Sequence, residues 1–233
     1  RVLLAQKRKQ KNLETPIPSL HTVFMGNPGT GKNTVAKLYG KMLKELGLLS
    51  KGHVVFQKRS TLMGQNYASE QEKTLAAIEE AKGGILFIEE ANILYKSDDS
   101  KDPGRNIIET LLSELGGEKD KDWGLLLSGP TEEMTAFLSA HSGISSHFPP
   151  ENRFIFEDYS VDELMNIAET FCEKNNYFLS PEAKTILRNK VQNDYNKRDL
   201  SFGNGRYIIN LLSNEILKAM SLRIGKIKNP SLI

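Results

Sequence analysis

Three positions in one short stretch carry the first chemical signal. In Val23-Phe24-Met25-Gly26-Asn27-Pro28-Gly29-Thr30-Gly31-Lys32-Asn33-Thr34, Gly26 and Gly31 stand five apart and Lys32 follows the second. That spacing is the one a phosphate-cradling loop requires. Gly26, Gly29 and Gly31 admit backbone angles that a Cβ opposes, so successive N–H groups can turn toward phosphate oxygens. A helix directly behind the loop adds its positive end, and Lys32 reaches the β- and γ-phosphates as a mobile point charge. An ordinary Gly-rich strand-to-helix turn would share the glycines. The order strand, loop, lysine, helix favours nucleotide, with Gly26 to Thr34 as the binding stretch. One position departs: the residue after Lys32 should be Ser or Thr, whose hydroxyl holds Mg²⁺, and here it is Asn33.

A second pair of groups completes the chemistry. Ile85-Leu86-Phe87-Ile88 ends in Glu89-Glu90. A phosphate-loop ATPase needs two acids at such a strand end, the first in the Mg²⁺ shell and the second to orient and deprotonate the attacking water. The first acid is normally Asp, and Glu89 is a methylene longer. Two solvated acids after a strand are the plainer alternative, which the loop upstream disfavours. Asn33 and Glu89 are therefore the candidate metal residues, and Glu90 with Lys32 the candidate catalytic ones.

The elements that must position these groups read as strands alternating with helices. Strand-like runs fall at about 21–26, 54–56, 85–88, 125–127 and 153–157, with helical patterns between them. The first helix, about 32–47, sets Val35, Leu38, Tyr39, Met42, Leu43 and Leu46 on one predicted inner face, with Gly47 as its stop. Arg59 to Ala68 reads as a loop, with Ser69 and Glu72 as a capping box opening the next helix. The unbroken apolar run 85–88 is expected of a parallel strand covered on both faces. Such alternation predicts an α/β fold with a mainly parallel five-stranded sheet. After Asp158 no strand pattern remains. Ser160 with Glu163 caps one helix, and Ser180-Pro181 opens a second. From Asn204 a third turns Ile208, Ile209, Leu212, Ile216 and Leu217 inward. The expected organisation is an α/β domain over 1–158 and a small helical domain over 159–233.

Composition narrows the partners. The 233 residues are 39% hydrophobic and 26% charged, ordinary for a soluble globular chain. With 31 basic and 29 acidic residues the net charge is +2, too balanced for nucleic acid as main partner. No apolar run is long enough to cross a bilayer, and no secretory leader is evident. A lone Cys172 in a helical pattern reads as a buried small hydrophobe, and the expected compartment is a reducing cytoplasm. Residues 1–14, with Lys7, Arg8, Lys9 and Lys11, read as a solvated basic run. The chain opens on Arg1 in mid-pattern, as expected of a piece of something longer.

Gly26 to Thr34, Leu62-Met63-Gly64-Gln65, the run Gly84 to Ala91, Lys51-Gly52-His53 and Gly203-Asn204-Gly205-Arg206 together resemble the CbbX/CfxQ family of AAA+ ATPases. That family includes the red-type Rubisco activases and the stage V sporulation protein K group, and the likeness runs from about residue 20 to 224. The resemblance implies a P-loop AAA+ module followed by a helical lid, binding ATP or ADP with Mg²⁺. It also implies assembly into an oligomeric ring, of one or several kinds of subunit, that acts on a protein partner. Ser128 then matches the sensor of the γ-phosphate at the end of the fourth strand. Arg206 matches the arginine that reaches the nucleotide from the lid.

Departures from the family pattern bear on turnover. Beyond Asn33 and Glu89, the segment that should carry a trans-acting arginine reads Gly143-Ile144-Ser145-Ser146-His147-Phe148, with Ser145 and His147 at the basic positions. Asn66 stands where a pore aromatic is expected, with Tyr67 beside it. The expectation is an ATP-binding remodelling module with weak or conditional hydrolysis. The alternative is a nucleotide-gated assembly subunit with negligible turnover.

Overall fold

In the computed structural model, residues 19–94, 102, 104–116, 122–200 and 202–224 are described. The basic run at 1–14, most of the charged loop from 98, and the side chain of Leu217 lie outside the described residues. The chain divides into two compact units. One runs up to Gly26 and resumes over Gly31–Phe156, and the other joins Asn27–Thr30 to the chain from Glu157 onward.

Five parallel strands build the first unit: β1 Thr22–Gly26, β2 Val54–Lys58, β3 Ile85–Glu89, β4 Gly124–Gly129 and β5 Arg153–Phe156, in the spatial order β2-β3-β4-β1-β5. Parallel neighbours need crossovers, and helices supply them. α1 Lys32–Glu45 follows β1. α2 Arg59–Leu62 and α3 Tyr67–Glu80 follow β2, α4 Gly104–Gly116 follows β3, and α5 Thr131–Ala140 with α6 Ser142–Ser145 follows β4. Side chains alternate across the sheet as period two requires. Leu86, Ile88, Leu125 and Leu127 face one apolar cluster with Leu111, Phe137 and Phe148. Ile85, Phe87 and Leu126 face the other, with Ala36 and Leu43 of α1. Both faces are thus dry, which is why β3 and β4 read as unbroken apolar runs.

Three local readings are corrected. α1 does not bury Leu38 and Met42, which are 60% and 48% exposed, nor Val35; it buries Ala36, Gly40 and Leu43. The reason is close approach: a Cβ on Gly40 would stand 2.5 Å from the Gly52 carbonyl oxygen. Small residues let α1 sit tight on the chain leading into β2, and its larger apolar residues stay outside. Between β2 and α3 the chain is not all loop, because Arg59–Leu62 is helical. α3 then starts at Tyr67 with Asn66 as its cap. Asn66 Oδ1 accepts from the Ser69 N–H at 3.0 Å while Ser69 Oγ accepts from the Asn66 N–H at 3.2 Å. Ser69 is the third helical residue of this reciprocal box, not the cap itself.

The second unit's helices are α7 Val161–Lys174, α8 Pro181–Asn196 and α9 Asn204–Ile224. Ser160 and Glu163 form the expected capping box, and Ser180 caps α8 with proline at its first position. Leu164, Ala168, Cys172, Val191, Ile208 and Leu212 form the core. Ile209, expected inside, is 38% exposed. No described helix is long and apolar enough to cross a membrane.

Candidate phosphate-loop site

Within the first unit, the loop's two ends and both acids meet at the C-terminal edge of the parallel sheet. That edge is where open α/β sheets bind ligands. β1 ends at Gly26, whose φ of 149° and position against Phe156 exclude a side chain: a Cβ there would lie 2.3 Å from the Phe156 carbonyl oxygen. Gly31, at φ 90°, caps α1, and its carbonyl accepts the Val35 N–H at 3.0 Å. Lys32 opens the helix, with its ammonium donating to the Gly26 carbonyl at 2.7 Å. Lys32 is thus folded over the loop that it follows.

Asn33 and Thr34 are exposed on the first turn of α1. The Asn33 amide donates from Nδ2 to Oε1 of Glu89, the last residue of β3. Glu89 lies in register with Lys58 of β2. Glu90 follows in the left-handed region, φ 51° and ψ 47°, and is exposed. A non-glycine residue held there costs about 1–3 kcal/mol and is found where a site dictates direction. The turn separates the two acids, one tied to α1 and one turned to solvent. Ser128, 3% exposed near the end of β4, lies in register with Phe24 of β1.

In the second unit, the loop tip Asn27–Thr30 sits among residues preceding α7 and opening α9. Asn27 Nδ2 donates to both Asp158 oxygens, at 3.0 and 3.2 Å, and Thr30 Oγ1 donates to the Asn27 carbonyl at 2.8 Å. Gly29, at φ 76°, has no room for a Cβ, which would fall 1.8 Å from the Gly203 carbonyl oxygen. Arg206, third in α9, is exposed. Asp158, Tyr159 and Asn204 touch the tip, and no sequence signal had pointed to a role for them there. Asn204 sat inside a singled-out motif, but its partners are far away along the chain.

The remaining segments are also placed. Ser145 ends α6, and its Oγ accepts from Arg153 Nη2 at 3.0 Å, while Arg153 Nε donates to the Phe148 carbonyl at 2.9 Å. His147 follows α6 with its ring 6.5 Å from that of His21. Asn66 is committed to capping α3, and Tyr67 is 52% exposed.

The donor chemistry fits Mg²⁺. With Asn33 Nδ2 donating to Glu89 Oε1, the Asn33 carbonyl oxygen and Glu89 Oε2 are the hard oxygen donors that a small dication takes. One carboxylate and one amide suit an ion that keeps waters and shares phosphate oxygens. Among the described residues, no group of three or more His, Cys, Asp or Glu side chains could hold a metal ion.

Residues 22–151 match the family described as ATPase family associated with various cellular activities (AAA), and residues 160–232 match the AAA lid domain. The chain is 38% identical to stage V sporulation protein K of Bacillus subtilis (strain 168), over 96% of this chain and 69% of that protein. It is 37% identical to protein CbbX of Cereibacter sphaeroides, over 93% of this chain and 69% of that one. To the chloroplastic ribulose bisphosphate carboxylase/oxygenase activase of Cyanidioschyzon merolae it is 33% identical, over 93% and 73%. Among solved structures, the FIGL-1 AAA domain in complex with ADP superposes with a TM-score of 0.54 at 16% identity. It covers 80% of this chain, which spans 59% of that one, and this likeness speaks to fold alone.

Proposed function

The protein belongs to the AAA family of ATPases, and from that premise we propose that it binds ATP at the Gly26–Thr34 loop and remodels a protein partner, with weak or conditional hydrolysis. The observation that carries the reading is the Asn33–Glu89 hydrogen bond, which joins the helix behind the phosphate loop to the strand that ends in two acids. In this reading Lys32 leaves the Gly26 carbonyl for the β- and γ-phosphates, exchanging a neutral acceptor for a charged one. Glu90, projected into solvent by its left-handed backbone, takes the proton of the attacking water. Ser128 offers a hydroxyl to the γ-phosphate, and Arg206 is the arginine that the family resemblance assigns to the nucleotide. Asn33 and Glu89 would hold Mg²⁺, which when bound spreads the charge developing on the phosphates.

The kinship with CbbX, the Rubisco activase and the sporulation protein supports the reading of an oligomeric ring acting on a protein substrate. The slow-turnover part rests on Ser145 and His147, where the family resemblance leads one to expect arginines. A trans-acting arginine is worth about 10³–10⁵ in rate where a site depends on one. The same observation favours a second reading, a nucleotide-gated assembly subunit with negligible turnover. Phosphate release from ATP with Mg²⁺, wild type against Glu90→Gln, separates them. Turnover that Glu90→Gln abolishes supports the ATPase; turnover no higher than that of Glu90→Gln supports the gated subunit.

A further inference from the structure

Three consecutive backbone carbonyls of the loop tip each accept a hydrogen bond from residues before α7 or at the start of α9, all within the second unit. The Pro28 carbonyl accepts from Asn204 Nδ2 at 3.2 Å, the Gly29 carbonyl from the Gly205 N–H at 3.1 Å, and the Thr30 carbonyl from the Tyr159 hydroxyl at 3.1 Å. A trans peptide is planar, with its N–H antiparallel to its C=O. Holding these carbonyls on the bracket side therefore turns the N–H groups of Gly29, Thr30 and Gly31 the opposite way. Three successive N–H groups facing one side form the concavity that binds an anion.

Asn204 is the centre of this bracket. It is fully buried, at φ 46°, in the left-handed region that asparagine tolerates better than most residues. Besides Pro28, its Nδ2 donates to Asp158 Oδ1 at 2.8 Å and to the Phe202 carbonyl at 3.2 Å, and its Oδ1 accepts the Tyr159 N–H at 3.0 Å. Asp158 in turn holds Asn27 at the start of the tip. A buried side chain this fully engaged specifies one arrangement, because losing any partner leaves another polar group unpaired.

We propose that Asn204 and Tyr159 are positioning residues for phosphate binding, holding the tip carbonyls outward so that the loop presents its N–H groups to the nucleotide's phosphates. The proposal rests on the reading of Gly26–Thr34 as the nucleotide site.

The test compares ADP with adenosine, which lacks phosphates, by calorimetry on the wild-type chain, Tyr159→Phe and Asn204→Ala. Tyr159→Phe removes one oxygen, so it carries the test even if Asn204→Ala fails to fold. The expected result is an ADP affinity lowered about tenfold, as loss of one or two hydrogen bonds to the loop implies, with adenosine affinity unchanged. A merely structural role would weaken both ligands together, and that outcome overturns the proposal. So does an ADP affinity within about twofold of wild type in folded Tyr159→Phe. Wild type that binds no ADP removes the nucleotide-site reading itself, and the positioning role falls with it.

Discussion

Asn33 donates its side-chain amide to the carboxylate of Glu89 across the gap between α1 and β3. A serine or threonine hydroxyl at position 33 could donate to that carboxylate and offer the same oxygen to a metal. An amide must divide the two tasks between nitrogen and oxygen, so metal binding and the clasp are more separable here. Nucleotide affinity in wild type should therefore respond only a few-fold to replacing Mg²⁺ with EDTA. Asn33→Thr together with Glu89→Asp should widen that ratio. Calorimetry with ADP in both buffers decides it, and an unchanged ratio in the double variant would show the departures to be neutral.

Lys32 bonds to the carbonyl of Gly26 at 2.7 Å in a position to exchange that oxygen for a phosphate. Hydrogen bonds to charged groups contribute about 1.5–3 kcal/mol. Lys32→Ala should accordingly lower ATP and ADP affinity by about tenfold to a hundredfold. Adenosine affinity should be untouched. Equal ADP binding by wild type and variant would remove Lys32 from the site.

The second unit holds a pH-sensitive contact away from the loop. The Tyr207 hydroxyl donates to Asp194 Oδ2 at 2.5 Å, and this bond, before the nearby lysines, holds the Asp194 carboxyl below its usual range. Burial first, and then Asp194, pushes the Tyr207 hydroxyl up. A depressed carboxylate stabilises the fold above its unfolded pKa, and that contribution is lost as pH falls through the folded value. Asp194 is largely solvent-facing, so Tyr207→Phe should cost only about 1 kcal/mol at neutral pH. The cost should shrink on acidification through the carboxylate range. Thermal melts of both proteins from pH 7 downward would show a converging pair; a gap constant with pH would contradict the assignment.

The alternation of strands and helices and the caps of α7 and α8 were legible because each signal is local: Ser160 meets Glu163, and Ser180 precedes Pro181. The glycine-rich turn from Gly26 to Gly31, between a strand and a helix, was legible for the same reason. The inner face of α1 was not, since Gly40 is placed by the Gly52 backbone rather than by its own polarity. At α3, Asn66 and Ser69 are both good caps, and propensity alone cannot rank two caps three residues apart. The tip bracket was least legible of all. Asn27 lies 131 residues from Asp158 and Pro28 lies 176 from Asn204, distances over which no periodicity carries information.

The segment after β4 bears on hydrolysis. Ser145 Oγ is occupied by Arg153, whose Nε is also fixed to the Phe148 carbonyl, so this arginine is engaged within its own chain. His147 offers an imidazole, which lacks the rigid five-donor fork of a guanidinium and substitutes poorly for it. If a neighbouring copy completes the ATP site, this segment presents it with no free arginine at Ser145 or His147. Specific ATPase activity of wild type should then rise little with protein concentration. Ser145→Arg with His147→Arg should raise it, more steeply as copies associate. Removing the Ser145 hydroxyl costs Arg153 one acceptor but leaves its bond to Phe148, so Arg153→Gln serves as the control for disturbance of the segment. Strong concentration-dependent turnover in wild type, not raised by the double arginine variant, would mean that the missing basic groups do not limit this site. Loss of that turnover in Arg153→Gln would assign the role to Arg153 instead.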